Sequence, residues 1–402
     1  MASFNTLGSP APVAGIRLSA VSAGIKTPGR LDLVLLELAE SSTVAATFTQ
    51  NAFCAAPVTV AREHIERCAP RYLLVNTGNA NAGTGRRGLE DARASCAALA
   101  TQLNVAAAAV LPFSTGVIGE YLPLERLLAA LPDAVSTLSD SAWTAAAEGI
   151  LTTDTRPKLG SRRLQLDGVD ITITGMAKGA GMIRPNMATM LAYLATDAAI
   201  EQSVLDSMWR SVVEQTFNRV TIDGDTSTND AALLIATAAA DNAPLSDPEL
   251  EQFEAALFDL ALELAQALVR DGEGASKFVT VKVSAAASEA EALDVAYTIA
   301  HSPLVKTALF ASDPNWGRVL AAIGRAGLSD LEVGKIRLYL NNVLIACDAG
   351  RAPDYTEAAG AAAMAEPDIE IAVELGRGDD EATVWTSDLS YDYVKINAEY
   401  RT

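Results

Sequence analysis

The sequence predicts a layered α/β sandwich, and three observations carry that prediction. Short runs of branched apolar residues, typical of strands, alternate with segments of helical periodicity. Half of the 402 residues are hydrophobic and 20% are charged, which is the balance of a globular protein with a sizeable core. The alternation is too irregular for a βαβ repeat, so packed layers are the expected architecture.

The predicted strands are rich in Val, Ile, Leu and aromatic residues. They cover 31–38, 43–49, 71–76, 164–173, 278–283, 335–346, 369–375 and 381–386, and the run 190–195 has the composition of a buried strand. Asp167-Gly168 is a hairpin signal within 164–173, and Asn341-Asn342 would turn the segment 335–346.

The predicted helices are amphipathic or rich in alanine. They are 89–103, the region 124–149, a segment with Phe253, Leu257, Leu260, Leu264 and Leu268 at helical spacing, and 358–366. Ser246 and Glu249 form a capping box ahead of the third helix, with Pro248 inside its first turn.

Composition excludes some classes of partner. The formal charge is -20, from 50 acidic against 30 basic residues, and no Lys/Arg-rich run occurs. Such a surface repels phosphate backbones and anionic lipids, so we expect neither nucleic acid nor a membrane as partner. An anionic substrate would therefore need a local basic pocket.

The N-terminal sequence lacks the basic and long apolar regions of a signal peptide, and no apolar stretch reaches 18 residues. Cys54, Cys68, Cys96 and Cys347 lie too far apart for a zinc knuckle or a disulfide framework. We expect a cytoplasmic protein with buried, reduced cysteines, and neither a metal nor a cofactor.

Two motifs suggest chemistry on their own, but weakly. GTGRRG (83–88) matches a dinucleotide-binding pattern, yet the preceding strand is separated from it by NTGNANA, so a structural turn is favoured. DGDTSTND (223–230) resembles part of a calcium loop but has Thr228 and Leu234 where glycine and glutamate are needed, which favours a polar, hydrogen-bonded loop.

A histidine-based catalytic triad is poorly supported, because His64 and His301 are the only histidines and neither lies in a recognisable motif. The segment GMAKGAGMIRPNMATMLAYLATDA (175–198) is more informative. It places flexible glycines, Lys178 and Arg184 shortly before Thr189, which opens an apolar run. A threonine here could simply be a β-branched strand residue.

This segment resembles the signature of the ornithine acetyltransferase family, also called glutamate N-acetyltransferase. The resemblance extends over eight ordered blocks: 76–85, 112–120, 151–158, KGAGMIRPNMATML (178–191), 217–230, 269–278, 312–318 and 391–402. It implies the layered α/β fold of that family, which is related to self-processing aminopeptidases of the DmpA type. It also implies self-cleavage between Ala188 and Thr189, giving an α chain (1–188) and a β chain (189–402), two of each assembling together.

The resemblance assigns roles to particular residues. Thr189 is the nucleophile and Thr115 and Gly116 stabilise the oxyanion, while substrate binding falls to Thr152, Lys178, Thr189, Glu273, Asn397 and Thr402. Lys178 suits a carboxylate, and Glu273 suits the ammonium of ornithine. A freed threonine α-amine, with a reference pKa of about 7.7–8.0, can take the proton of its own hydroxyl, which would explain the missing triad. A binding role for Asn397 and Thr402 also predicts an ordered C-terminus.

The implied reaction is a ping-pong transfer in which N-acetylornithine acetylates Thr189 and glutamate then accepts the acetyl group. Some family members also use acetyl-CoA, and the sequence leaves this open. One alternative is a self-processing amidohydrolase or aminopeptidase, in which water resolves the acyl-enzyme. Another is a nucleotide-binding module built on GTGRRG, which would bind its cofactor as an intact chain.

Overall fold

The computed structural model of the protein describes residues 10–184 and 190–400. These residues form two compact units. The first, which we call the sandwich unit, consists of 10–184, 190–218 and 225–268, and the second, the C-terminal unit, consists of 219–224 and 269–400.

The strands and helices of the sandwich unit alternate irregularly, as the sequence predicts. Its strands are β1 (Ile16–Val21), β2 (Leu33–Leu38), β3 (Thr43–Phe48), β4 (Tyr72–Asn79), β5 (Val110–Val117), β6 (Lys158–Leu166), β7 (Val169–Lys178), β8 (Leu191–Thr196) and β9 (Ala231–Ala236). Its helices are α1 (Ala56–Ile65), α2 (Gly85–Leu103), α3 (Leu124–Ser136), α4 (Trp143–Gly149), α5 (Gln202–Gln215) and α6 (Asp247–Arg270), the last of which ends in the C-terminal unit.

Two sheets share one apolar core in this unit. Their strand orders are β1-β2-β4-β5 and β3-β9-β8-β7-β6. Alternate residues of both sheets meet in a single buried cluster that includes Leu36, Val75, Phe113, Tyr193 and Leu233. The Phe113 and Tyr193 rings, one from each sheet, meet edge to face with centroids 5.4 Å apart.

Helices cover the other faces of the sheets. The opposite side chains of β2 and β4, such as Leu35 and Leu74, pack against Leu99 of α2 and Leu131 of α3. Helix α5 contacts β3 and β9 of the second sheet. Because each sheet is apolar on both faces, it must be covered on both, and a layered α/β sandwich results. The predicted fold class is confirmed.

The C-terminal unit is built on a mixed six-stranded sheet of order β13-β12-β11-β14-β10-β15. The strands are β10 (Phe278–Ala286), β11 (Arg337–Leu340), β12 (Val343–Cys347), β13 (Gly350–Arg351), β14 (Asp368–Glu374) and β15 (Asp380–Ser387). The helices are α7 (Glu289–Ala300), α8 (Pro303–Phe310), α9 (Trp316–Gly324), α10 (Glu357–Ala365) and α11 (Tyr391–Glu399). One cluster containing Val281, Ile299 and Ile323 forms its core.

Local turn chemistry confirms both predicted hairpins. Asp167 (φ 46°) and Gly168 (φ 77°) connect β6 to β7, and positive φ at both central residues suits the twist of the strands. Asn341 (φ 49°) begins the turn between β11 and β12. The capping box is present in part: the Glu249 carboxylate accepts the backbone N–H and the hydroxyl of Ser246.

Two predictions are wrong. The region 124–149 is not one helix, because Ser139 leaves the helical path and forms two backbone hydrogen bonds with Leu18 of β1. The four cysteines are unpaired, but Cys96 alone among them is buried, since Cys54 and Cys68 lie in loops and Cys347 ends a strand. Among the described helices, none is long and apolar enough to cross a membrane.

Candidate active site

The predicted oxyanion residues lie at the end of β5. Gly116 has φ +134°, and a Cβ atom there would lie 2.3 Å from the carbonyl carbon of Gly78 and 2.6 Å from the nitrogen of Asn79. The β4–β5 ladder shifts register at this point. Any side chain at Gly116 would therefore collide with backbone, and glycine is required for the two strand ends to come together.

Lys178 brings three predicted site residues together. Its ammonium donates hydrogen bonds to the hydroxyl oxygens of Thr115, at 2.8 Å, and Thr152, at 3.3 Å. Thr115 and Lys178 are both 8% exposed. We call these three residues the lysine–threonine cluster. Thr115 lies near the end of β5, Lys178 ends β7, and Thr152 lies in the loop after α4, so no local sequence pattern places them side by side.

A buried ion pair adjoins this cluster, and the sequence did not single it out. Lys158 Nζ lies 2.6 Å from Asp154 Oδ1, and both side chains are almost fully buried. Burial alone would raise the pKa of Asp154, but the charges of Lys158 and Lys178 lower that pKa well below its usual range. The formal charges of Lys158, Lys178 and Asp154 sum to one positive charge, in a chain whose formal charge is -20.

The segment 225–230 is a hydrogen-bonded loop, as predicted for this part of the acidic motif. The Asn229 amide donates to the carbonyls of Ala80 (2.6 Å) and Ser114 (2.9 Å), which ties the loop to the residue before Thr115. Asp230 is fully buried, and that burial raises the pKa of its carboxyl well above the usual value, against the opposing effects of Ser227 and Lys178. A neutral carboxyl group is therefore favoured at this position.

The predicted nucleophile and cleavage site, Thr189 and Ala188, lie outside the described residues, as does Thr402. The residues that flank 185–189 are held firmly. The hydroxyl of Thr226 donates to the carbonyl of Arg184 at 3.2 Å, and the carbonyl of Met190 accepts the N–H of Ala231 at 3.0 Å. The described residues on either side of 185–189 are therefore bonded to the loop 225–230 and to the strand that follows it.

Glu273 and Asn397, two predicted substrate-binding residues, meet in the C-terminal unit. The Asn397 amide donates to Glu273 Oε2 at 2.7 Å and to the backbone carbonyl of Tyr393 at 3.0 Å. The Tyr393 hydroxyl donates to Asp223 Oδ2 at 3.2 Å. Glu273 is nearly buried, at 9% exposed, so its charge requires such polar partners.

Close packing holds α11 against the loop that carries Glu273. Gly274 has φ +68°, and a Cβ there would lie 2.6 Å from Ser390 Oγ and from the backbone nitrogen of Tyr393. Ser390 Oγ caps the helix by accepting from Tyr393 N, and donates to the Gly274 carbonyl at 2.7 Å. Helix α11 extends to Glu399, and the predicted order of the extreme C-terminus remains a prediction because Thr402 lies outside the described residues.

The remaining motifs have structural explanations. The buried His64 bonds to the Val110 carbonyl through Nδ1 at 2.8 Å, and His301 pairs with the Thr221 hydroxyl at 2.9 Å while stacking on Tyr297. In GTGRRG, a Cβ on Gly88 would lie 1.9 Å from Thr84 Oγ1, so this glycine permits close packing in the first turn of α2.

Comparisons with known proteins show that the protein is an acetyltransferase of arginine biosynthesis with an α/β fold. The model of the ArgJ family matches residues 17–402, and this chain belongs to that family. It is 59% identical over 394 residues to the arginine biosynthesis bifunctional protein ArgJ of Pseudomonas syringae pv. tomato, covering 97% of each chain. It is 58% identical to the protein of the same name from Methylococcus capsulatus, covering 97% of this chain and 96% of the relative.

A solved structure supports the same family fold. The crystal structure of ArgJ from Bacillus halodurans is 38% identical and superposes with a TM-score of 0.50. The match spans 99% of that chain but 52% of this one. The solved chain is therefore about half as long as the chain described here.

Proposed function

We propose that the protein transfers the acetyl group of N2-acetyl-L-ornithine to L-glutamate through an acetyl-Thr189 intermediate, giving L-ornithine and N-acetyl-L-glutamate. The Thr189 hydroxyl attacks the acetyl carbonyl and its proton passes to the Thr189 α-amine. The tetrahedral intermediate then expels ornithine, which takes up that proton. Glutamate's amine attacks the resulting ester in the second half of the cycle, and Thr189 regains its hydroxyl.

The observation that carries the proposal is the contact of Lys178 with Thr115 and Thr152. A buried, net positive group of hydroxyls and ammonium is suited to an oxyanion and to a substrate carboxylate. A site of this charge is what an anionic substrate needs in so acidic a protein. We assign Thr115 and Gly116 to the oxyanion, and Thr152 and Lys178 to the substrate.

Glu273 and Asn397 are assigned to the polar end of the substrate, together with Thr402. A carboxylate with an amide hydrogen-bonded to it is suited to an ammonium group such as the side chain of ornithine. A carboxylate has about four acceptor positions, so the one bond from Asn397 leaves Glu273 able to accept from an ammonium as well.

Self-cleavage between Ala188 and Thr189 is part of the proposal, since it frees the amine that serves as base. The half-length chain of the Bacillus halodurans relative supports it, because a cleaved precursor gives chains of about that length. We propose that the fragments 1–188 and 189–402 assemble as two of each in the cytoplasm.

A second acetyl donor, acetyl-CoA, is also proposed. The relatives from Pseudomonas syringae pv. tomato and Methylococcus capsulatus are named bifunctional proteins, which supports two acetylation reactions rather than one. Acetylation of Thr189 by acetyl-CoA in the absence of N-acetylornithine would establish this second activity. An unchanged mass under those conditions would limit the protein to transfer between amino acids.

The test combines a denaturing gel, N-terminal sequencing and mass spectrometry. We expect two bands, one of which begins at Thr189 and gains one acetyl group on incubation with N-acetylornithine. Thr189→Ala should abolish both cleavage and acetylation, whereas Thr189→Ser should retain part of each because a hydroxyl and an amine remain. A fully active, uncut chain would contradict the mechanism, and release of free acetate without transfer to glutamate would favour a hydrolase.

A further inference from the structure

Burial of the Asp154–Lys158 ion pair costs free energy, because both charged groups are removed from water. Each ion loses favourable hydration on burial, and a pair of apolar residues of similar volume often stabilises a fold as well or better. Lys158 and Asp154 have side chains that are 1% and 0% exposed. A contribution to folding stability therefore does not explain why this pair is buried. Its position next to the lysine–threonine cluster indicates another role.

Asp154 fastens both parts of the chain that carry Thr152 and Lys178. Its Oδ2 accepts the backbone N–H of Thr152 at 3.0 Å, and its Oδ1 accepts the backbone N–H of Gly179, the residue after Lys178, at 2.7 Å. One carboxylate thus joins the loop after α4 to the end of β7. Hydrogen bonds to an ionised acceptor are short and strong, so they fix this relative position.

Lys158 determines how strongly the Asp154 carboxylate offsets the positive charge of Lys178. It lies 2.6 Å from Asp154 Oδ1 and balances that carboxylate. If Lys158 were absent, Lys178 would be the cation left to neutralise Asp154, since its charge already acts on the Asp154 carboxyl. The positive charge that faces Thr115 and Thr152 would then be compensated.

We infer that Asp154 and Lys158 form a positioning pair for acetyl transfer: Asp154 sets the distance between Thr152 and Lys178, and Lys158 neutralises Asp154 so that Lys178 keeps its charge for the anionic group of the substrate. This inference rests on the proposed function of the cluster. Neither residue is assigned a contact with the reacting atoms.

Two single substitutions break the same ion pair but change the charge in opposite directions. Lys158→Met leaves Asp154 to be neutralised by Lys178, so the N-acetylornithine concentration that half-saturates Thr189 acetylation should rise about tenfold or more. Asp154→Asn leaves both lysines charged, so the N-acetylornithine concentration at half-saturation should not rise. The maximal rate of acetylation should fall, because the hydrogen bonds that hold Thr152 and Gly179 weaken.

The double variant Asp154→Asn/Lys158→Met is the decisive measurement. It returns the summed charge of Asp154, Lys158 and Lys178 to that of the wild type, so the N-acetylornithine concentration that half-saturates acetylation should return toward the wild-type value and lie below that of Lys158→Met. A merely structural pair predicts that both singles weaken binding alike and that the double variant is at least as impaired as Lys158→Met. Either of those results would overturn the inference.

Lys335→Met provides a matched control, because Lys335 pairs with Glu332 at 2.7 Å on the exposed surface. It makes the same chemical change and should leave half-saturation and rate unchanged. Acetylation of the wild type, measured alongside, tests the proposed function separately. If Lys158→Met does not fold, Asp154→Asn and the double variant still decide, since a rise in half-saturation in both would contradict the charge-balancing role.

Discussion

Lys178 Nζ donates a hydrogen bond to Thr115 Oγ1 across 2.8 Å, between two strand ends that are 63 residues apart in the sequence. A hydroxyl has one hydrogen, and because its oxygen accepts from Lys178, that hydrogen is left to donate elsewhere. An ammonium at the oxygen also polarises the O–H bond, so Thr115 becomes a stronger donor.

Thr115→Ala should therefore slow the reaction more than it weakens binding. Loss of one oxyanion donor corresponds to a fall in kcat of roughly 10²–10³, with a small change in KM. Steady-state kinetics with N-acetylornithine and glutamate would measure both. Thr115→Ser keeps the hydroxyl and should retain most of the rate, whereas a change confined to KM would place Thr115 in ground-state binding.

Glu273→Gln should distinguish the two substrates by charge. Removing the carboxylate that Asn397 orients should weaken N-acetylornithine as donor more than glutamate as acceptor, because the side chain of ornithine carries an ammonium and that of glutamate a carboxylate. Acetylation of Thr189 can be followed by mass, and deacetylation by glutamate by product formation.

The surface variant Glu332→Gln provides the control for Glu273, since Glu332 makes an exposed ion pair with Lys335. It should affect neither half-reaction. Equal losses in both half-reactions of Glu273→Gln would show that Glu273 is structural, or that it serves the α-amino group common to both substrates.

Gly116→Ala should destabilise the fold more than Gly119→Ala. Both glycines have positive φ, +134° and +85°, so both substitutions strain the backbone. Around Gly119, however, a Cβ would meet no atom within 4 Å, whereas at Gly116 it would lie 2.3 Å from backbone. The free energy of unfolding in urea should fall by about 2–4 kcal/mol more for Gly116→Ala, and equal losses would contradict the close approach of β4 and β5.

Lys306 should make stability depend on alkaline pH. It is fully buried in α8, where it donates to the hydroxyl of Thr386 and the carbonyl of Ser387. Burial lowers its pKa from the ordinary 10.5 to about 8, against the opposing charges of Asp388 and Asp223. Between those values the unfolded chain holds a proton that the folded chain has lost, so the stability contribution rises with pH from about 8 to about 10.5.

The variant Lys306→Met isolates this effect from the titration of other groups. Urea unfolding at several pH values should show the wild type gaining about 3 kcal/mol relative to the variant between pH 7.5 and 10.5, since each unit of pKa corresponds to about 1.36 kcal/mol. Two curves that stay parallel over this range would show that the pKa of Lys306 is the same in the folded and unfolded chains.

The sequence predicts the fold best where local chemistry decides it. The turns at Asp167-Gly168 and Asn341 follow from residues that tolerate positive φ, and both hairpins form there. Strand β9 was not predicted, because a short run such as AALLIA suits a buried helix as well as a buried strand. The break between α3 and α4 depends on pairing with β1, which is more than 100 residues away.

Some residues of the candidate site were likewise predicted from the sequence, and others were not. Thr115, Thr152 and Lys178 were predicted from the resemblance to the ornithine acetyltransferase family, and the structure brings them together. Asp154 and Lys158 were not, because an acid and a lysine four residues apart usually mark a solvated surface. Lys158 begins β6, which pairs with β7 inside the second sheet, and no window of sequence around residue 154 shows that this strand is buried there.

The strand order β3-β9-β8-β7-β6 joins strands from both sides of the proposed cleavage site in one sheet. Strands β8 and β9 follow the proposed cleavage site in sequence, yet β9 pairs with β3 and β8 pairs with β7, both of which precede it. Before folding, a cut would separate fragments that each present unpaired strand edges prone to aggregation. After folding, it severs one covalent bond while two ladders still hold the pieces together. If the proposed cleavage takes place, we therefore expect it to follow folding, and the two products should separate only under conditions that unfold the sheet.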